Sequence, residues 1–314
     1  MFMSSNSDFL SGKSYWFKII ILLTLWLSAF VIFSVVGSLL IALFLGTDAL
    51  RYIDWENIED RSVIHVFRWM QIILSLGIFI LPAIIFVMLD GKSITKGLSL
   101  SGKTDISLYF LTFITVIVSW PFVYWLLDFN QNISLPDSLS GLEETLRQME
   151  SGTEAMLKSL ITINSIADFF VVLLMVAIVP AVAEEVLFRG AMQPLFTKWI
   201  GHAFIAIFIT AFIFSFMHMQ FLGFFPRLAL GMLFGYVFYY TNSLWFPIFG
   251  HFVHNGAQLA FFNLHEAGII DADMEETDIF PIYISAVSLA LVFLCLYFFK
   301  RKQQEKVILN QTDN

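Results

Sequence analysis

Charge is scarce in this chain. Only 13% of its 314 residues are Asp, Glu, Lys or Arg, against about a quarter in an ordinary soluble protein. That is too little polar surface to cover a water-soluble particle of this size. There is one cysteine, Cys295, inside an apolar run, which excludes an internal disulfide and a cysteine-based metal site. The formal charge is −8, which argues against nucleic acid as a partner, because a phosphate-binding surface needs clustered Lys and Arg. Apolar side chains are what the chain has in quantity. Hydrophobic residues make up 58%, with 36 phenylalanines, a composition for lipid-facing and helix-packing surface. The lipid bilayer is therefore an expected partner.

A helix needs roughly 20 apolar residues to cross about 30 Å of hydrocarbon. Runs of that kind lie near 17–45, 67–89, 107–127, 166–183, 202–219, 227–241, 246–264 and 280–299. The expected fold class is all-α, a polytopic bundle of about eight transmembrane helices. Nothing shows the alternating pattern of a membrane barrel. The first run is too long for the core of a cleaved signal peptide, so it reads as an uncleaved first span, preceded by Lys13.

Orientation follows from the loops. Lys92, Lys96 and Lys103 in 90–106, and Lys300, Arg301, Lys302 and Lys306 in the tail, belong in the cytosol by the positive-inside rule. The Lys-poor loops near 46–66, 128–165 and 266–278 belong outside. The expectation is a multi-pass protein of a bacterial inner membrane with both termini cytosolic. Three regions follow: N-terminal helices and an outside loop (1–165), a membrane core (166–265), and an acidic outside loop, last helix and basic tail (266–314). Within the second loop, 136–162 reads as an exposed amphipathic helix, capped by Asp137 or Ser138, that could lie on the membrane surface.

Ionisable groups inside membrane helices are costly and usually face a cavity or a partner. Here they concentrate between 184 and 255: Glu184, Glu185 and Arg189, then His218, then His251, His254 and Asn255. On a helix Glu185 and Arg189 stand at i,i+4 and can pair. Glu184 is turned about 100° away, lacks that partner and is free for chemistry as a base. A turn near Gly201-His202 puts Glu184 and His218 equally far from it along an antiparallel hairpin, roughly 25 Å at 1.5 Å per residue. His251 and Asn255, again i,i+4, share a face and can donate two hydrogen bonds to an oxyanion. Alternatively Glu184, His218 and His251 hold a metal such as zinc. Straight helices leave a conflict, since His218 then lies near the outer end of its helix and His251 near the inner end of its own. The two meet only if the short helix near 227–241, where Gly231-x-x-x-Gly235 permits close approach, is tilted or does not fully cross.

These residues resemble the CPBP family, also called the CAAX protease and bacteriocin-processing or Abi family. Its pattern of Glu-Glu-x-x-x-Arg, Phe-x-x-x-His and His-x-x-x-Asn is met, in order, by Glu184-Glu185…Arg189, Phe214…His218 and His251…Asn255. The resemblance covers about 170–260. It implies intramembrane proteolysis of a membrane-associated peptide or protein without an acyl-enzyme. Glu184 and His218 would activate water, His251 and Asn255 would stabilise the oxyanion, and Glu185 and Arg189 would support them. The family is commonly labelled a metallopeptidase, which keeps zinc as the one candidate cofactor. Two other readings compete: a non-catalytic immunity or scaffold protein of the same fold, and a small-solute transporter.

Overall fold

The computed structural model describes residues 9–50, 61–101, 105–270 and 280–312. The described part is helical, and no strand occurs in it. In chain order the helices are α1 (Tyr15–Leu45), α2 (Arg61–Leu89), α3 (Ile106–Gln131), α4 (Ser140–Ile161), α5 (Ile166–Ile200), α6 (Ala203–Met217), α7 (Phe224–Thr241), α8 (Trp245–Glu266) and α9 (Ile282–Thr312). Much of the acidic loop expected over 266–278, together with Lys103, lies outside the described residues.

Among the described residues, six helices are long and apolar enough to cross a membrane: α1, α2, α3, α5, the stretch ending in α7, and α9. The protein is thus an integral, multi-pass membrane protein, but the expected eight spans are not reached by this measure. The two that fall short are informative. Helix α6 has only 15 residues. Helix α8 has 22 but carries His251, His254, Asn255 and Gln258. Both are the helices that bring histidine to one cavity, and helices lining water have less need of length and apolarity than helices facing lipid. As the Glu184–His218 hairpin requires, the helix that holds Glu184 runs on past its apolar stretch to Ile200, 35 residues in all, so its last turns project past its neighbours.

Three prolines shape α2 and α5. Proline has no N–H and its ring presses on the carbonyl four residues back. A widened, π-helical turn precedes each by two residues: Leu76–Ile80 before Pro82, Leu173–Ile178 before Pro180, and Val186–Met192 before Pro194. Such turns relieve the clash and free carbonyls for other donors. Pro180 cannot donate to the carbonyl of Val176, and the Asn255 side chain does so from α8 at 3.0 Å. Pro121 breaks the α3 ladder in the same way. There Ser288 of α9 inserts its hydroxyl, donating to the Val118 carbonyl and accepting from the Phe122 N–H.

The core is centred on α5. Leu22 and Trp26 of α1, Phe86 of α2, Leu187, Phe188 and Met192 of α5, Phe214 of α6 and Phe238 of α7 form one buried cluster. Helix α6 lies along α7, and α3 along α9. Gly231 and Gly235 make the α7 approach possible. A Cβ at Gly231 would stand 3.0 Å from the Ala211 Cβ, and one at Gly235 2.8 Å from Ile207. The bared α7 carbonyls accept from α5: Arg189 reaches Gly231 and Gln193 reaches Gly235, each at 2.9 Å.

Helix α4 differs from expectation in two respects. Neither Asp137 nor Ser138 caps it; a 3-10 turn, Asp137–Leu139, leads in, and no side chain caps its N-terminus. Nor is it merely an exposed loop helix. Buried Arg68 of α2 ties its end down, donating to the carbonyls of Leu160 (2.8 Å) and Thr162 (2.6 Å) and to Asp168 (2.6 Å). Glu150, from its middle, accepts from the Leu222 N–H at 2.9 Å.

Candidate active site

Glu184 and Glu185 sit where α5 passes from its α-helical stretch into the widened turn Val186–Met192. Their side chains diverge as consecutive helical residues must. Glu185 is fully buried and accepts from Arg189 Nη1 at 2.7 Å, as i,i+4 spacing leads one to expect. Arg189 is equally buried and its guanidinium lies 4.9 Å from the centre of the Phe214 ring. Glu184 has 14% of its side chain exposed and turns to the cavity.

Glu185 has a second partner that spacing alone could not reveal. His251 Nδ1 lies 2.9 Å from the same carboxylate oxygen, Oε1. A carboxylate can only accept, so Nδ1 carries the hydrogen. The imidazole stacks on Phe234, centroids 5.5 Å apart, and its Nε2 points at Glu184 Oε2 from 3.9 Å. Glu185 thus orients His251 as well as neutralising Arg189. His218 follows the last turn of α6 and is held in the same way: its Nδ1 meets the Phe214 carbonyl at 2.8 Å. Nδ1 must donate there too, which leaves Nε2 as a free acceptor.

Glu184, His218, His251, His254 and Asn255 all line one cavity of about 540 Å³, between α3, α4, α5, α6, α7 and α8. The expected conflict in depth does not arise, and the reason is register. Gly190 of α5 packs against Leu98 and Leu244, so the start of α8 sits level with residue 190, not with the end of α5. Glu184 is six residues from Gly190 and His251 seven from Leu244, about 9 to 10 Å along either helix. The overhang of α5 past Gly190 brings Glu184 and His251 to one level.

Asn255 is less free than an oxyanion donor was expected to be. One hydrogen of its amide is committed to the Val176 carbonyl, and one remains for the cavity it lines.

Several cavity residues carried no sequence signal. Glu150 and Leu157 come from α4, which looked like a surface helix. Arg227 lies at the start of α7 and donates to the Gln220 carbonyl at 2.9 Å. His254, already singled out among the ionisable groups of 184–255, also lines the cavity, buried with its Nδ1 unpartnered among the described residues. Buried Asn130 clamps the turn after His218, donating to Phe221 O at 2.7 Å and accepting from Phe225 N at 2.8 Å. No sequence feature marked Asn130 out, since it stands with Asp128, Gln131 and Asn132 beyond the apolar run that ends near 127.

No three His, Cys, Asp or Glu among the described residues converge as metal ligands.

The fold and the cavity define a polytopic helical membrane protein with a carboxylate–imidazole site enclosed by its bundle. Residues 166–257 match the family model of Rce1-like type II CAAX prenyl endopeptidases. That segment carries all three motifs, and the match agrees with the CPBP resemblance; the family implies a protease acting in the membrane. No curated protein and no solved structure gave a significant match.

Proposed function

We propose that this chain is an intramembrane endopeptidase that uses Glu184 as the base for water. The observation that carries this is the placing of Glu184 Oε2 3.9 Å from His251 Nε2, on the wall of a cavity that His218 and Asn255 also line. Water held between Glu184 and the free Nε2 of His218 gives its proton to the carboxylate. The hydroxyl oxygen adds to the scissile carbonyl carbon, and the C=O electron pair moves to oxygen. Two carboxylates against one guanidinium leave Glu184, Glu185 and Arg189 one proton short of neutrality, and buried charge is strongly disfavoured. A proton carried by His251 Nε2 corrects this, leaves Glu184 ionised as the base, and supplies a donor for the oxyanion, with the second Asn255 hydrogen beside it. Collapse of the adduct breaks the C–N bond, and Glu184 returns its proton to the leaving amine. No step is routed through a metal.

The cavity suits a membrane-associated peptide: Val123, Leu127, Leu230 and Phe234 form an apolar wall beside the polar one. The matched family's name makes a prenylated C-terminal peptide the first substrate to try. The Lys/Arg asymmetry supports cytosolic termini.

The test is peptide cleavage by the purified chain, wild type against Glu184→Gln. Cleavage by the wild type alone supports the proposal. No cleavage of any membrane peptide by either protein favours the non-catalytic scaffold. Solute flux in liposomes without cleavage favours the transporter.

A further inference from the structure

We propose that a second cleft, between the start of α1, the end of α2 and the last turns of α5, binds a phosphate-ester anion, as carried by an anionic phospholipid headgroup. The cleft measures about 290 Å³ and is lined by Ser11, Tyr15, Lys18, Asp90, Lys92 and Lys198 among others. It shares no lining residue with the Glu184 cavity.

Charge is the first argument. Three ammonium groups face one carboxylate, a local net charge of +2 in a chain whose total is −8. Asp90 accepts from Lys18 at 2.6 Å and also contacts Lys92. One carboxylate holds both ammoniums side by side yet can balance only one. Lys198 has no carboxylate partner among the described residues. The Lys18–Asp90 pair is only 14% and 8% exposed, so water and salt screen it less than surface charge.

Shape and depth are the second argument. The volume is at the low end for a ligand site, below the roughly 300–1,000 Å³ of typical pockets, and suits a headgroup better than a peptide. Its wall is partly bare backbone: a Cβ at Gly97 would stand 2.2 Å from Val87 Cγ1. Next in the chain to the lining residues Tyr15 and Lys198, Trp16 meets Trp199, centroids 4.3 Å apart, and Trp16 is 60% exposed. Trp and Tyr at this place mark headgroup level, and basic pockets between membrane helices at that level suit anionic headgroups. Here the overhang of α5, already needed to align the catalytic motifs, also carries Lys198 to the cleft.

The experiment is native mass spectrometry of the full chain in detergent, titrated with phosphatidylglycerol, with phosphatidylcholine of the same acyl chains, or with inorganic phosphate. Phosphatidylglycerol should be retained about tenfold better than phosphatidylcholine. Lys198→Gln, which breaks no ion pair described here, should weaken that retention about fivefold, and Lys92→Gln combined with it further. Lys302→Gln, outside the cleft, should leave it unchanged. Saturable binding of inorganic phosphate that competes with the lipid would make the phosphate group itself the determinant; lipid binding untouched by phosphate would assign it to the whole headgroup. Equal retention of both lipids, or unchanged retention in the double variant, overturns the proposal.

Discussion

At Glu185 one carboxylate oxygen serves Arg189 and His251 together. Removing a partner from a buried charge network leaves an uncompensated charge, at roughly 3 to 5 kcal/mol. Glu185→Ala should therefore lower the melting temperature in detergent as well as activity, and a variant that melts like wild type would refute the network. Glu184 is different. Its carboxylate makes no hydrogen bond among the described residues, so Glu184→Gln should accumulate in membranes and melt normally while turnover falls by about 100-fold or more, the usual scale of base catalysis. His251 and Asn255 act on the transition state in this mechanism. Their alanine variants should lose about 100- to 1000-fold in kcat with little change in KM. Asn255→Ala should also melt lower, because the Val176 carbonyl is left unpaired. Elemental analysis of the same preparations checks the zinc reading: metal lost from His251→Ala would make that residue a ligand.

Among the elements, α4 has a role that its amphipathic pattern did not reveal. Its polar face looks outward in sequence, yet Glu150 and Leu157 close the catalytic cavity and Arg68 anchors the helix end from another span. Arg68→Ala should strand Asp168 and loosen α4. The measurement is limited trypsin digestion at Arg147 and Lys158, which should accelerate while cleavage in the basic tail does not. The α5–α7 contact is the second case. Gly231→Ala should cost about 1 to 3 kcal/mol by overpacking against Ala211 and should displace Arg189 from the Gly231 carbonyl. A drop in activity larger than the drop in melting temperature is the expected signature.

For the molecule as a whole, topology and acid stability can be tested. In a Cys295→Ser background, single cysteines at Thr95 and Gln304 should label from the cytosol, and those at Asp48 and Ala267 from outside. Outside labelling at Gln304 would mean an odd number of crossings. Burial raises the Asp90 carboxyl, but hydrogen bonds and charge from Lys18 and Lys92 outweigh it and hold the group below its ordinary 3.8. A carboxyl lowered in the folded state stabilises fully above its unfolded value, and that share is lost as pH falls below it. The stability difference between wild type and Asp90→Asn should therefore shrink as pH drops from about 5 towards 3, read as melting temperature against pH.

The sequence alone carried the membrane class, most of the helices, the Glu185–Arg189 pair and the three motifs. These depend on composition and on spacing within one helix, which the 3.6-residue repeat converts into geometry. The Gly201 turn was legible for the same reason: a glycine after a long apolar run, here in the left-handed conformation that ends α5. Contacts between helices were not legible. The bond from His251 to Glu185 spans 66 residues and that from Asn255 to Val176 spans 79. Both depend on the overhang of α5 past Gly190, which is set by packing of Gly190 against Leu98 and Leu244 rather than by any local preference. Which nitrogen of each histidine faces the cavity, and which wall α4 supplies, were decided only when separate helices came together, because relative helix register is a property of the packed bundle and no single helix encodes it.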